Sequence, residues 1–161
     1  MRGVRAYVVP VPLLAIAGVG ISAFLLANHY QVVSAAFCSI ASWSDCDRVN
    51  ASAWSEIAGV PVAALGLIGF SVIAALALEL RLREVPRFRP WHLFAVALGG
   101  AAFGTYLTLV EVMVLGLFCL LCLASFLLGI AILAFAVLAI LAERRELVRK
   151  AALGSSTQDP P

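Results

Sequence analysis

Two pairs of cysteines are the residues whose chemistry could reach beyond packing. Cys119 and Cys122 stand three apart in the string Leu117-Phe118-Cys119-Leu120-Leu121-Cys122-Leu123, at the head of an apolar run that continues to Ala142. Residues three apart on a helix share a face, so the two sulfurs could close a disulfide or act together on one substrate. Cys38 and Cys46 lie in the one long polar connection of the chain. In redox use, one thiolate of such a pair attacks a disulfide, its neighbour resolves the intermediate, and a helix N-terminus favours the thiolate. Three other uses compete: small packing cysteines in an apolar helix, a staple closed by Cys38 and Cys46, or a four-thiolate metal site. Two thiolates alone are too few for a metal, and nothing else in the chain suggests metal transport. Redox chemistry without a metal is therefore the expectation.

The elements that must position these cysteines are membrane spans. Of 161 residues, 63% are hydrophobic and only 12% charged, with a mean hydropathy of +1.06. Soluble domains run about half apolar and about a quarter charged. This composition predicts an all-α integral membrane protein, a bundle of four transmembrane helices with a cap of loop and short helices. The net charge of +2 gives no reason to expect nucleic acid as a partner.

The spans are expected at about 8–28, 60–80, 91–113 and 117–142, with an outer cap over 29–59. Each is long enough to cross a bilayer at about 1.5 Å per residue. The first run is too long for a secretory signal and is read as uncleaved. The cap holds Phe37, Ile40, Trp43, Trp54 and Ile57, too apolar for a free linker, and its tryptophans suit a water–lipid boundary. A single transmembrane domain is expected over 1–150, followed by a disordered tail over 151–161.

Charge then orients the bundle. Arg2, Arg5, Arg81, Arg83, Arg87, Arg89, Arg144, Arg145, Arg149 and Lys150 all fall at one end of four alternating spans, and only Arg48 falls at the other. The positive-inside rule puts that basic end, with both termini, in the cytoplasm. The cap and the head of the fourth span then share the opposite side, so both cysteine pairs are expected to be extracytoplasmic.

Phe37-Cys38, Cys46-Asp47-Arg48-Val49, Ser52, Trp54, Tyr106-Leu107 and Phe118-Cys119-Leu120-Leu121-Cys122 together resemble the vitamin K epoxide reductase family. The likeness spans nearly the whole chain. It implies a four-helix bundle around a quinone, capped by the loop. It further implies that Cys122 meets the quinone with Cys119 as its partner, that Cys46 exchanges with Cys119, and that Cys38 hands oxidising equivalents to a client protein. Ser52 matches the position where a hydroxyl supports the reactive cysteines.

Around these, Phe126 could stack on the quinone ring, Tyr106 could contact it or merely pack, and Glu111 could assist proton movement. An ionisable group within a span is a functional hypothesis by default. His29 is read as interfacial, and Asn50-Ala51-Ser52 as a chance glycosylation triplet. Animal members carry a tyrosine where this chain has Phe126, and an asparagine at the head of the second span, where Ala58-Gly59-Val60-Pro61 stands here.

The reading is a bacterial-type member without a fused thioredoxin-like domain, in the bacterial inner membrane. It would pass electrons from a separate thioredoxin-fold, DsbA-like protein through Cys38/Cys46 and Cys119/Cys122 to a quinone of menaquinone, ubiquinone or phylloquinone type. The alternatives are an animal-type quinone-epoxide reductase and a non-enzymatic tetraspan protein with a stapled outer loop.

Overall fold

A computed structural model describes residues 2–38, 41, 43–83 and 87–155. Four helices in it are long and apolar enough to cross a membrane, spanning Gly3–His29, Val62–Leu82, Pro90–Leu115 and Leu120–Leu153. The first is two segments in near continuation, α1 (Arg2–Val8) and α2 (Val11–His29). Pro10 caps α2 and Pro12 falls in its first turn, where a missing N–H costs least. The others are α4 (Val62–Leu82), α5 (Pro90–Val110) and α6 (Leu120–Ser155).

Between α2 and α4 the cap folds as a 3-10 turn at Ala36–Cys38, the short helix α3 (Cys46–Asn50) and a second 3-10 turn at Ala53–Ser55. A two-residue antiparallel pair follows, β1 (Glu56–Ile57) with β2 (Val60–Pro61). Gly59, at φ +80°, turns the corner between them in a conformation open to glycine. The last helix runs five residues past Lys150, to Ser155; the remainder of the expected tail, 156–161, lies outside the described residues.

The chain packs α2 on α4 and α5 on α6. At the basic end, Val8, Val11, Ala15, Ile73, Ala77, Leu80, Leu93, Ala97, Ile132, Ala136 and Ala139 form a closed apolar core. Small residues let the helices approach there, as membrane packing requires. Large apolar side chains such as Leu13, Ile16 and Ile68 point outward, which suits a lipid-facing surface. The basic end is also tied by polar contacts: Arg5 donates to the Arg83 carbonyl, Arg89 pairs with Glu143, and the Gly3 N–H donates to Glu146. The opposite end holds a second buried cluster of Leu25, Ala35, Cys38, Cys46, Val49 and Cys119.

Candidate functional site

The head of α6 is shaped by the residues just before it. After Val110 the helix widens into a π turn, Glu111–Leu115, and Gly116 at φ +62° ends it in the left-handed region. That turn directs Glu111 inward, where it is buried and its Oε2 accepts the Cys119 N–H at 3.2 Å. Cys119 occupies the N-cap of α6: its carbonyl accepts from Leu123 and its Sγ accepts from the Cys122 N–H at 3.1 Å. A sulfur in that position meets the unpaired N–H groups and the positive end of the helix dipole, which favours the thiolate whenever the pair is reduced. Here Cys119 and Cys122 are joined as a disulfide, Cα atoms 5.1 Å apart.

The second pair, Cys38–Cys46, is also a disulfide, with 5.7 Å between Cα atoms. Cys46 opens α3, whose N-cap Asp45 accepts the Arg48 N–H at 3.0 Å. The Ser44 hydroxyl donates to the Cys38 carbonyl at 2.7 Å and closes the loop. A short backbone ladder then joins the two pairs. The Phe118 N–H donates to the Trp43 carbonyl at 2.8 Å, and the Asp45 N–H to the Phe118 carbonyl at 3.1 Å. The residue before Cys46 is thus bonded to the residue before Cys119, and the Trp43 and Phe118 rings meet edge to face above them. Cys38, Cys46 and Cys119 have no solvent exposure, whereas Phe37 and Trp43 beside them are more than half exposed.

A polar clamp seats the cap on the end of α2. The Asn28 amide donates to Asp47 Oδ1 at 2.6 Å and to the Val33 carbonyl at 2.9 Å. Its carbonyl oxygen accepts from Asn50, which also donates to the Leu25 carbonyl. The two ring nitrogens of His29 reach the Asn50 carbonyl at 3.1 Å and Glu56 at 3.0 Å. Asn50, read as a chance glycosylation triplet, is buried in this clamp, and His29 is one of its fasteners.

Asp47 also accepts from the Ala35 N–H and the Ser34 hydroxyl. The Ala35 and Asn28 bonds, in that order, hold its carboxyl below the ordinary value of 3.8. A lowered folded-state pKa contributes stability above the unfolded value and loses it as pH falls through the folded one. Asp47→Asn is therefore expected to cost about 1 kcal/mol at pH 7, less than a fully buried charge-assisted bond because solvent screens it. In chemical denaturation the gap from wild type should close below pH 3.8. A gap that persists in acid would show that the charge does not fasten the cap.

Beneath the cap, α2, α4, α5 and α6 enclose a mostly apolar cavity of about 450 Å³. Its outer wall carries Val49, Asn50, Ser52 and Trp54, and its inner wall Glu111, Cys122, Ser125 and Phe126. Cys122 is the cysteine that borders it. Ser52 lines the wall with its hydroxyl donating to the Val49 carbonyl at 2.7 Å. Phe126 packs against α5 so closely that a methyl at Gly104 would stand 2.8 Å from its ring. Tyr106, which could contact a quinone or merely pack, does not line the cavity. It is half exposed and stacks on Phe103 at 6.4 Å, because the inward face of α5 runs through Phe103, Leu107, Val110 and Glu111.

Volume, apolar walls and a few convergent polar groups match what a small-molecule site requires. The cavity also keeps a buried hydroxyl with no hydrogen-bond partner among the described residues, Ser125 Oγ, so a flat apolar ring with carbonyl oxygens fits its chemistry. The ligand atoms of Glu111, Cys119 and Cys122 lie within 4.8 Å of one another. With both sulfurs spent in a disulfide, this set offers a metal one carboxylate and no thiolate. A sequence model of the vitamin K epoxide reductase family matches residues 9–137, most of the chain and all four cysteines.

Proposed function

The chain belongs to the vitamin K epoxide reductase family, and on that premise we propose that it oxidises the thiols of a separate extracytoplasmic thioredoxin-fold protein at the expense of a membrane quinone. Membership makes it a membrane oxidoreductase of disulfides, of a kind that works with quinones and thioredoxin-like proteins. The observation that carries the finer reading is the ladder between Asp45 and Phe118, which couples one cysteine pair to another that borders the cavity.

The route balances at each step. A client dithiol reduces Cys38–Cys46 through a mixed disulfide on Cys38, leaving two thiols in the cap and a disulfide in the client. The Cys46 thiolate then attacks Cys119, and Cys38 displaces Cys119 from Cys46, so Cys38–Cys46 reforms and Cys119 and Cys122 become thiols. A quinone supplies a two-electron acceptor that also takes up two protons. Cys122 presents its sulfur to the cavity, Cys119 waits at the N-cap to close the disulfide again, and Glu111, bonded to the Cys119 N–H, is the carboxyl group beside them that serves proton movement. Phe126 and Trp54 provide aromatic walls, and Ser52 fixes the cap wall through Val49.

Orientation follows from charge: the basic end is cytoplasmic, and the cap faces the outside of a bacterial inner membrane. One experiment tests side and chemistry together. In sealed right-side-out vesicles, a membrane-impermeant thioredoxin-fold dithiol protein is expected to be oxidised, with one quinone reduced per disulfide formed. Inverted vesicles should leave it reduced. Oxidation from the inverted side, or oxidation with no quinone consumed, would overturn the proposal.

A further inference from the structure

The proposed function gives the cavity a quinone but leaves open what orients it, since Phe126 has no hydroxyl and Tyr106 points elsewhere. Hydroxyls within membrane spans have a default partner, the carbonyl four residues back. Ser71, Thr105 and Thr108 all take it, donating to Leu67, Ala101 and Gly104 at 2.7, 2.8 and 2.9 Å. Ser125 does not. Its Oγ is buried and has no hydrogen-bond partner among the described residues, and the residue lines the cavity. The other atom in that condition is Arg5 Nε, whose guanidinium is served through Nη2. Ser125 therefore holds a whole hydroxyl group in reserve, at a cost the fold does not recover by itself.

Its place makes the reserve specific. Ser125 lies three residues beyond Cys122 on α6, so the hydroxyl and the sulfur stand on the same helix face, one turn apart. Phe126, the next residue, also borders the cavity. We propose that Ser125 is a quinone-binding residue whose hydroxyl donates to one ring carbonyl, setting the ring against the Cys122 sulfur. This rests on the quinone reading above and names the group that confers selectivity for carbonyl-bearing rings. Of the cavity's other hydroxyls, Ser52, Ser55 and Thr108 are committed to the Val49, Ser52 and Gly104 carbonyls, and Ser22 stands on α2 against Gly66, on a different helix from Cys122.

A hydroxyl kept for a ligand gives two effects of opposite sign, which a hydroxyl kept for the fold cannot. In Ser125→Ala the quinone-free protein is expected to melt at or above the wild-type temperature, because an unpaired buried hydroxyl is gone. The same variant should bind menadione about three- to tenfold more weakly, read by quenching of tryptophan fluorescence, with Trp54 on the cavity wall. Ser125→Thr, which keeps the donor, should restore most of the affinity. For 2-methylnaphthalene, which has no carbonyl, wild type and Ser125→Ala should bind alike.

Equal menadione affinity in wild type and Ser125→Ala would overturn the assignment and leave the quinone reading standing. A fall in both melting temperature and affinity would do the same, by making the serine structural. Failure of the wild type to bind menadione would remove the quinone reading and this assignment together.

Discussion

Cys122→Ser is expected to lower quinone-linked thiol oxidation by on the order of a thousandfold or more, whatever the reductant, because an essential nucleophile has no substitute in its site. Cys122 is the cysteine that borders the cavity; Cys119 lies behind it, buried at the N-cap. Cys38→Ser should behave differently. A small dithiol that enters the cavity can still reduce Cys119–Cys122, so dithiothreitol-driven quinone reduction should survive while oxidation of a thioredoxin-fold client collapses. Parallel assays with the two reductants check this. If both variants lose both activities equally, the cysteine pairs do not divide the work.

The second large effect is a trapped bond. Removing the resolving thiols in a Cys38→Ser, Cys122→Ser double variant should leave Cys46 and Cys119 to pair, nearly quantitatively, as one internal disulfide. A disulfide needs its Cα atoms about 5.5–6 Å apart. The ladder between Asp45 and Phe118 already holds the preceding residues in hydrogen-bond contact, and Cys46 and Cys119 belong to one buried cluster. Forming the bond then requires α3 to present Cys46 to the head of α6. Non-reducing digestion should yield a single cross-linked peptide containing both residues. Two free thiols after mild oxidation would return Cys38–Cys46 to the role of a staple.

What could be read from the chain followed the strength of each physical signal. Long apolar runs and the distribution of arginines speak for themselves, so the four spans and the cap were legible. So was the four-cysteine pattern, because thiols in two close pairs have few uses in such a chain. The phase of each span was not. A helix that is apolar all round presents no polar face, and nothing in the string around Tyr106 says that Phe103 and Leu107 turn inward instead. The same silence hid Ser125, one more small residue in an apolar run until its missing partner is seen.

The clamp of Asn28, Asp47 and Asn50 was hidden for another reason. Its partners come from the end of α2 and the cap, and only the folded backbone brings them to hydrogen-bond distance. Asn28 alone carried a hint, as an amide at the end of an apolar run that must find a partner if buried. The Trp43–Phe118 ladder joins segments 75 positions apart and leaves no trace in local composition.

That ladder also sets an order of events during biosynthesis. Cys38 and Cys46 leave the ribosome early, yet the backbone groups of Trp43 and Asp45 find their partner only when Phe118 arrives, after two more spans have been made. Until then the cap is an unfinished loop carrying two thiols, able to pair with each other but not to be aligned with a second pair. The last helix thus does more than complete the bundle: its arrival gives the cap loop the backbone partner that seats it beside the second cysteine pair.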